Sequence, residues 1–142
     1  MTTTPDLAIR PFAFTVERVM KASPDSLYRA WTEQFDRWFA VPGTVIMTGE
    51  VDSVFFFETA FDGRRYPHYG RFLELEKGKC VAMTWLTAET RGEETVVTVT
   101  LRPQDGGTDL KLHHAGFPDE ASAARHKDAW PIVLEQMDLK IG

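Results

Sequence analysis

From residue 54 to residue 115 the chain alternates β-patterned runs with short turns, and after residue 118 its period changes. The runs are "VFFFETAF" (54–61), "YPHYGRFLELE" (66–76), "CVAMTWL" (80–86), "TVVTVTLR" (95–102) and "TDLKLHHA" (108–115). "DGRR", "KGK" and "PQDGG" separate most of them. Links this short join antiparallel strands, because a parallel pair needs a crossover of a dozen residues or more. Residues 119–140 then read as one long helix, with Trp130, Leu134, Met137 and Ile141 spaced four, three and four. Ala121 and Ala124 extend that face. An antiparallel sheet with one long helix to cover it is an α+β arrangement.

The segment before this block fits the same plan. "FAFTVERVMKA" (12–22) is a strand pattern with Phe14, Val16, Arg18 and Met20 on one face. Ser23 is a good N-cap, Pro24 suits the first helical position, and Asp25 suits the positive helix end. Leu27, Tyr28 and Trp31 recur at helical spacing, and a second short helical turn follows around Glu33–Trp38. "TVIMTGE" (44–50) reads as a further strand, for a total of about six to seven. Gly70 reads as a bulge, and Pro131 should kink the last helix unless the helix restarts there. With 142 residues the chain suits one domain, expected over 11–142, with residues 1–10 loosely ordered.

Several function classes lose their basis. The net charge of −5 and the lack of any basic stripe disfavour nucleic acid. No apolar run approaches a membrane span, and the N-terminus lacks a secretory pattern. The single cysteine, Cys80, offers no intrachain disulfide, so a cytoplasmic location is expected. His113 and His114 point to opposite faces of a strand, and no His-x-His or His-Glu-x-x-His pair occurs, so no metal site is expected. Nucleophile elbows and phosphate-binding glycine loops are absent, and no cofactor is called for. His68 and His126 read as exposed.

The order and spacing of four segments resemble a known family: "VERVMKASPDSLYRAWTE", "GRFLELEKGKCVAMTW", "VTVTLRPQDGGTDLKLHHAGF" and "HKDAWPIVLEQM". The chain is similar, over roughly residues 12–140, to the activator of heat-shock protein 90 ATPase homologue-like family of the START-like, or SRPBCC, superfamily. It departs from that family at Ser53–Val54, Ala129 and Pro131. The resemblance implies a helix-grip fold, with a curved antiparallel sheet wrapped around the long C-terminal helix and two short helices after strand one. It also implies a cavity between sheet and helix. Superfamily relatives bind lipids, sterols, polyketides or plant hormones there, and some are enzymes. The eukaryotic namesake stimulates a chaperone ATPase through a protein interface.

The expectation is therefore a module for a small hydrophobic or amphipathic molecule. Trp31, Phe55, Phe57, Met83, Trp85, Leu112, Trp130 and Leu134 would wall the cavity, and Arg18 and His114 would orient a polar end. Arg18 equally suits an internal ion pair, His114 a satisfied core histidine, and the aromatics a filled core. A cyclase- or hydrolase-like reaction would rest on His114 or Glu58 as acid–base, and strict alternation places Glu58 away from Phe57. A homodimer or a chaperone contact remains as the interaction reading, without specific residues for the latter. Phe56 shares its face with Val54, Glu58 and Ala60, where no helix is expected. A dimer contact or a folded-back terminus should shelter it.

Overall fold

The computed structural model describes residues 4–142. The elements run β1 (Phe12–Met20), α1 (Pro24–Thr32), α2 (Phe35–Trp38), β2 (Val54–Phe61), β3 (Arg64–Glu76), β4 (Cys80–Trp85), a 3-10 turn (Ala88–Thr90), β5 (Thr95–Gln104), β6 (Gly107–Phe117) and α3 (Glu120–Ile141). The strands form one six-stranded sheet in the order β1-β6-β5-β4-β3-β2. All its pairs are antiparallel. The expected α+β helix-grip arrangement is what the chain adopts, with six strands and two short helices after the first.

Local chemistry sets the turns and caps. Asp62 and Gly63 have φ of 52° and 76°, and Asp105 and Gly106 have 42° and 82°. Two successive residues in the left-handed region make the hairpin turn that matches the twist of antiparallel strands. Ser23 caps α1 by accepting from the Ser26 N–H at 3.2 Å, and Asp119 caps α3 by accepting from the Ser122 N–H at 2.7 Å. Helix α3 runs unbroken through Pro131, which lies on the exposed face. The carbonyl that loses its donor there is left on the water side, where solvent can satisfy it.

The buried face of α3 carries Ala123, Trp130, Leu134 and Met137. Ala123 lies seven residues before Trp130, in phase with the stripe. Ala121 and Ala124 are out of phase and exposed, contrary to expectation. This face packs on the concave side of the sheet, where Phe55, Phe57, Phe72, Met83, Trp85, Val97, Leu110 and Leu112 are all buried. The pairing of β3 with β4 shifts register between Phe72 and Glu74. A bulge therefore lies at Leu73, not at Gly70, and it changes which residues face inward. Gly70 is regular in register, but a Cβ there would come within 2.2 Å of the Phe55 ring. It is glycine because that ring lies directly over it.

Residues 44–50 do not form a strand. A single bridge, Ile46 to Phe56, ties them to β2. Serine and threonine hydroxyls compete for the local backbone: Ser53 Oγ lies 2.6 Å from the carbonyls of both Thr48 and Glu50, which share its single O–H, and Thr44 Oγ1 donates to Val41 O at 2.7 Å. The irregular segment still dresses the outer edge of β2. The Val41 N–H reaches Glu58 O at 2.8 Å, the Glu58 N–H reaches Thr44 Oγ1 at 3.1 Å, and Ile46 exchanges both backbone bonds with Phe56. Phe56 points to the convex side, as alternation requires, and packs on Tyr69 with ring centroids 5.2 Å apart. Its intramolecular cover is Tyr69 and the 44–48 segment, which the sequence reading did not consider. Near the N-terminus, Arg10 donates to Gly116 O and Glu94 O, each at 2.8 Å.

Candidate functional site

Tyr66, His68, Gly70 and Phe72 share the inward parity of β3 above the bulge. His68 stacks on Phe57 at 4.6 Å and 19°, and meets Trp85 edge-on at 5.4 Å. Its Nδ1 lies 2.9 Å from Tyr66 O. A carbonyl can only accept, so Nδ1 carries the proton and Nε2 presents a lone pair. Burial pushes the His68 pKa down to about 4 despite that bond, with His126 adding to the shift, so the ring is neutral at physiological pH.

His126 reaches the same place from α3, one turn before Trp130. Its Nδ1 lies 2.8 Å from Ser122 O, which fixes the same tautomer. The ring packs on Phe117 at 4.8 Å and on His114 at 5.3 Å. Burial lowers its pKa, partly opposed by the Ser122 bond and the charge of Glu89. Among the described residues, no protein group reaches the Nε2 of either ring.

These two histidines border a cavity of about 390 Å³ between the sheet and α3. Phe39, Tyr66, Trp85, Trp130 and Val133 give most of its apolar wall, and Thr59, Phe61 and Ala129 lie at its mouth. The lining contains no lysine or arginine, and its single acid, Glu89, is held by Arg125 at 3.1 Å. A larger hollow of about 870 Å³ lies elsewhere, bordered by Asp25, Glu74, Glu76, Lys77, Lys79, Arg102 and Lys111. Charges of both signs in open water make that a solvated surface, not a pocket for an apolar molecule.

The structure distributes the residues expected from sequence. Trp85 and Trp130 line the cavity. Phe57 lies directly behind His68. Trp31, Phe55, Met83, Leu112 and Leu134 are buried in the packed core. Arg18 lies near the other end of α3, where its guanidinium donates to Asp138 Oδ2 at 3.1 Å. The Lys21 N–H donates to Asp138 Oδ1 at 2.9 Å. His114 is sealed: Trp130 Nε1–H donates to its Nδ1 at 3.0 Å, and its Nε2 lies 2.7 Å from Thr95 Oγ1. The Thr95 hydroxyl in turn donates to Trp85 O at 2.6 Å. Both nitrogens of His114 are therefore used, and burial keeps the ring neutral. Glu58 lies on the convex face, paired with Arg65 at 3.0 Å. Arg18 Nε and Trp31 Nε1 are buried without a partner, but neither residue borders the cavity.

The sequence reading missed His68, His126, Tyr66 and Val133. It placed the first two in solvent, whereas both are half-buried. Signals for them existed. His68 is four residues from Phe72 on one strand face, and His126 is four before Trp130 on the helix stripe.

The fold has counterparts. The family model described as "Activator of Hsp90 ATPase homolog 1-like protein" matches residues 21–140. No curated protein matches the chain. Among solved structures, a Chromobacterium violaceum protein is 24% identical, with 92% of this chain and 96% of that chain covered and a TM-score of 0.79. The Aha1 dimer of Colwellia psychrerythraea is 20% identical, with 91% and 95% covered and a TM-score of 0.71. An HSP90 activator from Plasmodium falciparum is 20% identical, with 90% and 94% covered and a TM-score of 0.73. At these identities the likeness concerns the fold.

Proposed function

Because the chain belongs to the Activator of Hsp90 ATPase homolog 1-like protein family, we propose that it is a helix-grip binding module holding a small hydrophobic or amphipathic molecule between the sheet and α3. The observation that carries this reading is the cavity of about 390 Å³, walled by aromatics and bordered by two histidines with a free acceptor each. A merely structural interior would be filled, as it is around Trp31 and Phe35, both fully buried. Pockets that take small molecules are mostly apolar with a few placed polar groups, and this one has that composition.

A library of apolar and amphipathic compounds, screened by thermal shift and native mass spectrometry, tests the reading. A bound ligand at about 100 times its Kd should raise stability by about 2.7 kcal/mol. Ala129→Trp places an indole at the mouth from an exposed helix position. It should abolish that rise while leaving the fold intact. Retention of binding in Ala129→Trp would place the ligand elsewhere.

A second reading has its own observation. Ile46, Val54 and Tyr69 are 69%, 70% and 49% exposed, and together with Phe56 they form an apolar patch on the convex face. Such a patch suits a protein contact. A homodimer through it draws support from the dimeric Colwellia neighbour. Light scattering after size exclusion checks this: Val54→Asp should turn a dimer into a monomer, and a wild-type monomer at high concentration removes the idea. A chaperone contact, suggested by the Plasmodium neighbour being an HSP90 activator, would need the same kind of surface and is tested by pull-down with Val54→Asp as control.

A further inference from the structure

We propose that the cavity selects a flat, neutral aromatic molecule that carries a hydrogen-bond donor at its edge, such as a phenol, and that His68 and His126 are the residues that recognise the donor. This rests on the binding reading above and narrows it to a chemical class.

The argument starts from the tautomers. Each ring has its Nδ1 within 2.9 Å of a backbone carbonyl of its own element, Tyr66 O or Ser122 O. Carbonyl oxygens carry no hydrogen, so both Nδ1 atoms are protonated and both Nε2 atoms are acceptors. Both rings border the cavity, and a neutral acceptor there attracts an O–H or N–H and repels a lone pair. A carboxylate or phosphate entering the cavity would meet those lone pairs, with no lysine or arginine in the wall to receive it. An anion is therefore disfavoured twice, by repulsion and by lost hydration. A cation gains little, because Glu89 is already engaged by Arg125.

Shape supplies the second half. Phe39 stacks on Trp85, with centroids 6.0 Å apart at 9°, and Trp130 tilts against Trp85 at 5.3 Å, so the wall is made of rings locked against one another. Rigid aromatic walls of this kind favour a planar partner over a flexible chain, which loses rotamer entropy on entry. Burial opposes protonation of both rings, so they remain acceptors at neutral pH.

Four probes of one shape separate the terms: naphthalene, 2-naphthol, 2-naphthoate and 2-naphthylmethylammonium. Their binding to the intact chain is followed at neutral pH by tryptophan fluorescence and calorimetry. The expected order is 2-naphthol first, tighter than naphthalene by roughly 2- to 12-fold, the worth of one hydrogen bond. The naphthoate should be weakest. Replacing both rings, His68→Phe with His126→Phe, should bring the naphthol and naphthalene affinities together, whatever it does to naphthalene itself. Should that double variant fail to fold, ¹⁵N-histidine NMR of the wild type decides. An Nε2 resonance of His68 or His126 must move away from the free-acceptor position when 2-naphthol binds. Naphthoate or the ammonium binding as tightly as naphthol, or naphthol binding with both Nε2 resonances unmoved, overturns the inference and leaves the pocket standing. If no probe binds and the compound library also fails, the binding reading falls with it.

Discussion

Helix α3 closes the interior differently at its two ends. Toward the C-terminus, Asp138 accepts from Arg18 and from the Lys21 N–H, so its charge is satisfied by protein alone. Toward the N-terminus, His126 comes beside His68, and each keeps one nitrogen without a protein partner. Both ends bury ionisable groups under one helix. Only one leaves acceptor capacity facing a space. Arg18 Nε aside, the first end is completed by protein groups, and the second keeps acceptor capacity at the border of a cavity.

The largest test of this contrast is Trp130→Ala. Trp130 belongs to both regions: it packs on Trp31 and Trp85 and donates to His114. Its removal should cost about 3–5 kcal/mol in urea unfolding and leave His114 Nδ1 unpaired. A cost below about 1 kcal/mol would mean that the interior is looser than the contacts imply.

Asp138→Ala attacks the clasp alone and should cost about 1.5–3 kcal/mol, with no change in ligand binding. Burial of Asp138 acts to raise its pKa. The Lys21 bond and Arg18 outweigh that effect and hold the carboxyl below its ordinary value of 3.8. With a depressed folded pKa, its contribution is present above the unfolded pKa and is lost as pH falls through the folded one.

The histidines titrate in a different window. Their folded pKa values lie below the ordinary 6.5, that of His68 at about 4. Below 6.5 the unfolded chain binds protons that the folded chain refuses, so stability falls as pH drops from 6.5 toward 4. The slope approaches about 1.4 kcal/mol per pH unit for each histidine involved. Denaturation midpoints across that window check it, and His68→Phe should flatten the curve while Asp138→Ala should not. The smallest effect belongs to Glu58→Ala. Its pair with Arg65 lies on the outer face, and stability should change by about 0.5 kcal/mol or less, with ligand binding unaltered.

The fold was largely legible because its signals are local and repeated. Asp-Gly turns, alternating runs, and the cap at Ser23 each specify their own few residues. The site was less legible because it depends on parity across a bulge and on tautomers. His68 faces inward with Phe72, yet the Leu73 bulge changes the inward set farther along the same strand, and no residue type announces that bulge. Arg18 and His114 were the polar side chains visible on apolar strand faces in the sequence. What no pattern encodes is that each finds its partners far along the chain, Asp138 for the first and Thr95 with Trp130 for the second. "TVIMTGE" has strand composition, but neighbouring hydroxyls take its carbonyls instead.

That irregular segment has an effect on the behaviour of many molecules together. Strand β2 ends the sheet, and a bare terminal strand is a template on which other chains can stack into fibrils. Here Val41, Thr44 and Ile46 occupy backbone positions that a foreign strand would need, without themselves offering a regular ladder to extend. Shortening the 41–48 loop would thus leave the cavity in place and yet raise the tendency of the molecules to aggregate.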